Sequence, residues 1–213
     1  ISNLTGDDAL YLCGDISDSS VCNDFVNLAL SKWGRIDILV NNCGGPPPKT
    51  FIDCSDDDWL DAYNSVLMSS IRLTKLCSHH MIKNSWGRII TIGSTLMKEP
   101  SAAMVLSCTM RSAVVSYMKS VSLALASSGI TVNTISTGGV STSRLTSLLS
   151  TIASKEGINL DEKLIEAAST IPMNRFAAPQ EFVQGIVFLA SEKSSYITGA
   201  CLSIDGGLTK SAF

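Results

Sequence analysis

Short runs of aliphatic and β-branched residues alternate along this chain with stretches of helical length, and that alternation leaves few folds open. Residues 9–13, 36–40, 88–92, 131–135 and 201–204 read as strands, with glycine, asparagine or aspartate close behind each. Parallel strands need crossovers of a dozen or more residues, usually helices, whereas a sandwich would string strands together through short turns. The order therefore predicts an α/β fold built of parallel βαβ units, with helices on both faces of the sheet.

The intervening segments carry helical periodicity. Asp18 to Trp33 is predicted as an amphipathic helix with Val21, Phe25, Leu28 and Ala29 inward. Ser55 followed by Asp58 is a capping-box start, and the helix it opens carries Leu60, Tyr63, Leu67 and Ile71 toward Ile82. The helix from Ser107 to Ser127 has only Arg111 and Lys119 as charges, with Ala113, Val114, Val115, Met118, Val121, Leu123 and Leu125 around it. A helix apolar on more than one side is buried on more than one side, so it is expected to pack against a second subunit as well as its own sheet, giving a homo-oligomer. After Gly138-Gly139 comes a long polar and helical excursion, and 180–191 reads as the last helix.

At 213 residues with 45% hydrophobic content, the chain is long enough for one well-buried core and short for two, which predicts a single domain over 1–213. The net charge of -3 comes without any Lys/Arg cluster, arguing against nucleic acid or an anionic membrane as partner and leaving small molecules or protein. No apolar run reaches the roughly 18 to 20 residues that span a bilayer, and the first residues resemble no leader, so a cytoplasmic location is expected. The seven cysteines form no Cys-x-x-Cys pair and have no histidines at ligand spacing, against a disulfide framework or a metal site. They read as small apolar fillers.

Chemistry concentrates between Arg88 and Arg111. The run Ile89-Ile90-Thr91-Ile92 ends in Gly93-Ser94, and a helix of small residues opens near Ser107 with Arg111 one turn on. A strand-tip hydroxyl thus faces a helix-borne hydroxyl and a cation, since residues four apart share a helix face.

These pieces, in this order, resemble the short-chain dehydrogenase/reductase family, most closely its 3-oxoacyl-carrier-protein reductase branch. Asp15-Ile16 matches the family's adenine-contacting Asp-Val, and Asn41-Asn42-Cys43-Gly44 its Asn-Asn-Ala-Gly. Trp86-Gly87-Arg88-Ile89 with Ser94 matches the strand bearing its catalytic serine, and Gly129-Ile130-Thr131-Val132-Asn133 the strand before its nicotinamide loop. Tyr196-Ile197-Thr198-Gly199 with Asp205-Gly206-Gly207 matches its C-terminal signature. The resemblance implies a Rossmann-like doubly wound sheet, an NAD or NADP cofactor, and a substrate lid over about 141–172. It implies cofactor contacts from Asp15, Ile16, Asn42, Cys43, Gly44, Arg111, Gly138 and Thr142.

Three departures qualify it. The family opens with a strand, a glycine-rich turn and a helix, a unit of roughly forty to fifty residues with no counterpart before residue 9, which suggests an incomplete sequence. The family's strand order would set those strands between 9–13 and 36–40, interrupting the sheet at its middle. The catalytic Tyr-x-x-x-Lys falls on Ser107-Cys108-Thr109-Met110-Arg111, thirteen positions past Ser94. The asparagine that maintains the family's proton relay falls on Val66, and Tyr63, three residues before it on the same helix face, is a candidate for a displaced phenol. A serine hydroxyl is a far weaker acid than a phenol and shorter by a ring. Arg111 keeps the charge, though its planar fork differs from an ammonium.

Two readings follow. In one, the chain is a nicotinamide-dependent oxidoreductase of carbonyl or hydroxyl substrates, with Ser94, Ser107 and Arg111 as its catalytic set. In the other, it is an inactive family member that binds nucleotide or a partner subunit as a regulator or scaffold. A non-redox step on a bound substrate ranks behind both.

Overall fold

The computed structural model describes residues 9–212. Four strands, β1 (Ile38–Asn41), β2 (Gly87–Ile92), β3 (Ile130–Thr137) and β4 (Cys201–Ile204), form one parallel sheet in the order β1-β2-β3-β4. The helices are α1 (Ser19–Trp33), α2 (Asp56–Ala62), α3 (Ser69–Asn84), α4 (Val105–Leu125), α5 (Ser143–Glu156), α6 (Leu160–Ser169) and α7 (Pro179–Ala190). None of the described helices is long and apolar enough to cross a membrane.

Alternation along the central strands builds two cores. Ile89 of β2 and Ile130 and Val132 of β3 point into the larger one, with Met81 of α3 and Leu106, Val114 and Met118 of α4. Ile90 and Ile135 point to the opposite face and meet Phe182 and Leu189 of α7. Strands buried on both faces read as continuous apolar runs, as 88–92 does.

Residues 9–13 form no strand, which corrects the sequence reading. A strand exists by hydrogen bonding to a neighbour, and among the described residues β1, the edge of the sheet, pairs only with β2. The expected interruption of the sheet is therefore not seen, and the four strands are contiguous. β1 is covered on one face only, so Leu39 is buried while Ile38 and Val40 are 46% and 41% exposed. The inward face of α1 also differs from the prediction: Cys22 and Val26 are buried, whereas Phe25 is 45% exposed and lines an apolar groove with Trp33, Ile36 and Ile38.

Local sequence accounts for most element ends. Asp18 accepts from the Ser20 N–H to cap α1, which stops at Gly34 in the left-handed conformation. Ser55 and Asp58 form the reciprocal capping box of α2. The long helix expected beyond it contains a π-helical turn, Tyr63–Met68, between α2 and α3. The Ser69 hydroxyl donates to the Ser65 carbonyl at 2.6 Å and the Ser70 hydroxyl to the Val66 carbonyl at 3.0 Å, serving acceptors that the wider turn reorients.

Candidate active site

The carboxyl ends of β1, β2 and β3 open onto one cleft of about 730 Å³, where open parallel sheets commonly bind ligands. Asn42 to Gly45 line it beyond β1, Gly93, Ser94 and Leu96 beyond β2, and Thr137, Gly138 and Val140 beyond β3. Ser107 and Arg111 of α4 form a further wall, and Leu145 and Leu148 of α5 face Phe182, Val183 and Ile186 of α7 across the mouth.

Ser94 is held by the turn it starts. Its hydroxyl accepts from the Leu96 N–H at 3.3 Å, capping the 3₁₀ turn Thr95–Met97, and its own proton remains available to donate. Gly93 leaves room before it: a Cβ there would displace the end of the Met97 side chain and stand 3.1 Å from the Ile135 carbonyl. Ser107 lies in the first turn of α4, only 3% exposed, with that exposure toward the cleft.

Arg111, one turn on, is tied to two strand tips: it donates to the Ile92 carbonyl at 3.3 Å and to the Cys43 carbonyl at 3.5 Å. Burial holds its pKa below the usual arginine value; Cys43 opposes this, and the positive charge of Arg144 adds a smaller lowering effect. Burial likewise pushes the Cys43 thiol up, with Arg111 opposing. Cys43 is thus a neutral filler at working pH.

Thr142 caps α5, its hydroxyl accepting from the Leu145 N–H at 3.3 Å. Gly138 packs so tightly that a Cβ would come within 2.6 Å of the Asp205 backbone. The cleft thus brings together Asn42, Cys43, Gly44, Ser94, Ser107, Arg111, Gly138 and Thr142. Asp15 and Ile16 lie outside its lining: the Asp15 carboxylate accepts from the Ser17 N–H at 2.8 Å at the entry to α1, and Ile16 packs against the larger core. Tyr63 is 40% exposed and brings no phenol to the cleft. Val66 is buried, beside a small void shared with Asn41, Thr91 and Arg111.

Sequence reasoning missed Arg144, which lines the cleft from the first turn of α5 and donates to the Gly45 carbonyl at 3.1 Å. Only its place two residues after Thr142 could have signalled it, since nothing in a polar helical segment marks which residue turns inward. Of the apolar residues within 141–172, Leu145 and Leu148 line the cleft, while Leu149, Leu160, Leu164 and Ile165 do not.

A family model described as enoyl-(acyl carrier protein) reductase matches residues 2–209. The NADPH-dependent reductase BacG of Bacillus subtilis strain 168 is 36% identical over 202 residues, covering 95% of this chain and 78% of that protein. The 3-oxoacyl-[acyl-carrier-protein] reductase FabG of Salmonella typhimurium is 31% identical over 208 residues, covering 98% and 81%. Among solved structures, YwfH, an NADPH-dependent reductase involved in bacilysin biosynthesis, superposes with a TM-score of 0.92 at 34% identity, covering 99% of this chain and 81% of that one. The L-sorbose reductase of Gluconobacter frateurii, complexed with NADPH and L-sorbose, gives a TM-score of 0.93 at 25% identity, covering 99% and 80%. A parallel sheet whose strand tips carry a serine, a glycine-bounded loop and a helix-borne cation defines a Rossmann-like oxidoreductase architecture. The chain belongs to the short-chain dehydrogenase/reductase family of NAD(P)-dependent oxidoreductases.

Proposed function

We propose that the chain interconverts a carbonyl and a hydroxyl group on a small substrate, with NAD or NADP as redox partner and an atypical acid at the site. The observation that carries this reading is the convergence of Ser94, Ser107 and Arg111 on one cleft with the loops after β1 and β3. Those loops fit a nicotinamide half: Gly44 and Gly45 present backbone without side chains, and Gly138 permits the close strand-tip packing that leaves the cleft open. Asn42, Gly44, Gly138 and Thr142 would hold it there. When bound, the nicotinamide supplies or accepts the hydride.

The chain's own residues do the rest. Ser94, whose lone pair is already engaged by Leu96, donates its proton to the substrate oxygen and fixes that oxygen at the tip of β2. Among the described residues no tyrosine, lysine or histidine lines the cleft, so protonation falls to a water between Ser94 and Ser107, and the hydroxide it leaves takes up a proton from solvent when product departs. Arg111 favours the anionic form of that oxygen through its charge. Leu145 and Leu148 exclude bulk water, which assigns a lid role to the helical excursion over about 141–172 within a single 1–213 domain. Leu123, 73% exposed on α4, is a contact available to a homo-oligomeric assembly.

The second reading, an inactive member that binds nucleotide or a partner, is favoured by the same missing phenol and by Val66 buried where a relay asparagine would stand. Turnover assays with NADH and NADPH against 3-oxoacyl thioesters, aldoses and secondary alcohols decide between them. Cofactor oxidation with any class supports the oxidoreductase. Measurable NADPH binding by fluorescence with no turnover across the panel leaves the inactive member.

A further inference from the structure

Two arginines meet in the cleft without a carboxylate to neutralise them. The NH2 groups of Arg111 and Arg144 both lie within 3.6 Å of one point, the position that a Cβ on Gly45 would occupy. They reach it from different elements, Arg111 from α4 and Arg144 from the first turn of α5. Their protein hydrogen bonds go only to neutral carbonyls: Arg111 to Ile92 and Cys43, Arg144 to Gly45. Among the described residues, no aspartate or glutamate lines the cleft. Asp205, which packs against Gly138, spends its carboxylate on the N–H groups of Gly207 and Thr209, each at 3.0 Å.

Like charges converging in a partly buried cleft repel, and a guanidinium taken out of water without a counter-ion is costly. Arg111 is the desolvated member of the pair, and its burial, with a smaller contribution from the exposed Arg144 and against Cys43, lowers its pKa. Such a pair is relieved by an oxyanion, which two planar guanidinium forks can grip with several N–H donors at once. Gly45 keeps the gap open: any side chain there would stand 3.3 Å from one NH2 group and fill the space between them. The gap also lies near the chemistry, because the Ile92 carbonyl that receives Arg111 is two residues before Ser94.

We propose that Arg111 and Arg144 form an oxyanion clamp, so that the substrate of this cleft carries a carboxylate or phosphate near its reacting carbonyl or hydroxyl group. The substrate assignment rests on the oxidoreductase reading; the clamp itself does not. A second source of the same chemistry is the pyrophosphate of the dinucleotide, and the experiment separates the two.

Calorimetric titration of the cofactor-free protein with malonate, inorganic phosphate and neutral malonamide tests the clamp without requiring turnover. Wild-type protein is expected to bind malonate or phosphate in the millimolar range and malonamide not at all. Arg144→Gln and Arg111→Gln are each expected to weaken the anion tenfold or more, with Arg144→Lys recovering part of the loss. Arg144 is exposed, so an unchanged melting temperature for Arg144→Gln separates loss of binding from loss of fold. NADPH affinity of Arg144→Gln is expected to stay within twofold of wild type, while KM for an acidic substrate rises tenfold or more and KM for a neutral one does not. Malonate and phosphate binding that is absent, or unchanged in both glutamine variants, overturns the clamp. A loss confined to NADPH assigns the pair to the cofactor and overturns the substrate inference. Anion binding without turnover of any substrate removes the oxidoreductase reading and leaves the clamp standing.

Discussion

Arg111 donates to the backbone carbonyl of Ile92 at 3.3 Å, tying α4, already packed into the larger core, to the tip of β2 two residues before Ser94. The same helix carries Ser107 one turn earlier, on the same face, so the contact also fixes how Ser107 meets the cleft. The cleft's geometry is therefore a property of the helix–strand junction, and it survives residue identities that weaken its acid.

That separation of geometry from chemistry makes a gain of function testable. The double substitution Ser107→Tyr with Arg111→Lys places a phenol and an ammonium at helix spacing, at a position that is 3% exposed and whose exposed edge lines the cleft. General acid catalysis contributes typically 10² to 10⁴, so kcat/KM for carbonyl reduction should rise by about 10²-fold or more in steady-state assays. No increase would show that Ser107 does not occupy the acid's place.

Gly138 is held against the Asp205 backbone at 2.6 Å from where a Cβ would sit, with its N–H donating to the Ile204 carbonyl at 3.1 Å. Gly138→Ala must push β3 and β4 apart at the cleft floor. The expected result is a destabilisation of about 1–3 kcal/mol in urea unfolding together with weaker NADPH binding. In the wholly buried core, Ile89→Ala should cost about 2–5 kcal/mol by the same measurement.

Glu181 controls the start of α7 and its acid stability. Its carboxylate pairs with Arg175 at 2.7 Å and accepts from the Ala178 N–H at 2.8 Å, the Arg175 hydrogen bond being the larger cause that draws its pKa from 4.5 to about 2. A depressed carboxylate pKa stabilises the folded state above the unfolded value, and that contribution disappears as pH falls through the folded one. Asp58, drawn from 3.8 to about 2 chiefly by Lys49, behaves alike. The melting-temperature gap between wild type and Glu181→Gln should be full at neutral pH, narrow below about pH 4.5 and close near pH 2. A gap independent of pH would count against this account.

The cysteines divide by burial. Burial pushes the Cys77 thiol up to about 12, and Cys22 and Cys108 are buried with it, whereas Cys13 is exposed. Titration with a thiol-reactive disulfide at mild alkaline pH should label Cys13 rapidly, and Cys22, Cys77 and Cys108 only after denaturant is added.

The sequence by itself determined the parallel α/β fold, the capped start of α2, and the spacing of Ser94, Ser107 and Arg111, because each rests on local periodicity, capping or fixed spacing. The alternation of Ile89 and Ile90 between the two cores follows from strand geometry alone. Only the tertiary structure decided that residues 9–13 form no strand and that Phe25 faces an open groove, since both depend on whether a neighbouring strand is present to pair or cover. It also decided that Tyr63 stays outside the cleft and that Asp15 caps its own turn. Above all it brought Arg144 to Arg111: their positions in sequence are unrelated, and two guanidinium groups meet only because α4 and α5 converge on Gly45 at the end of β1.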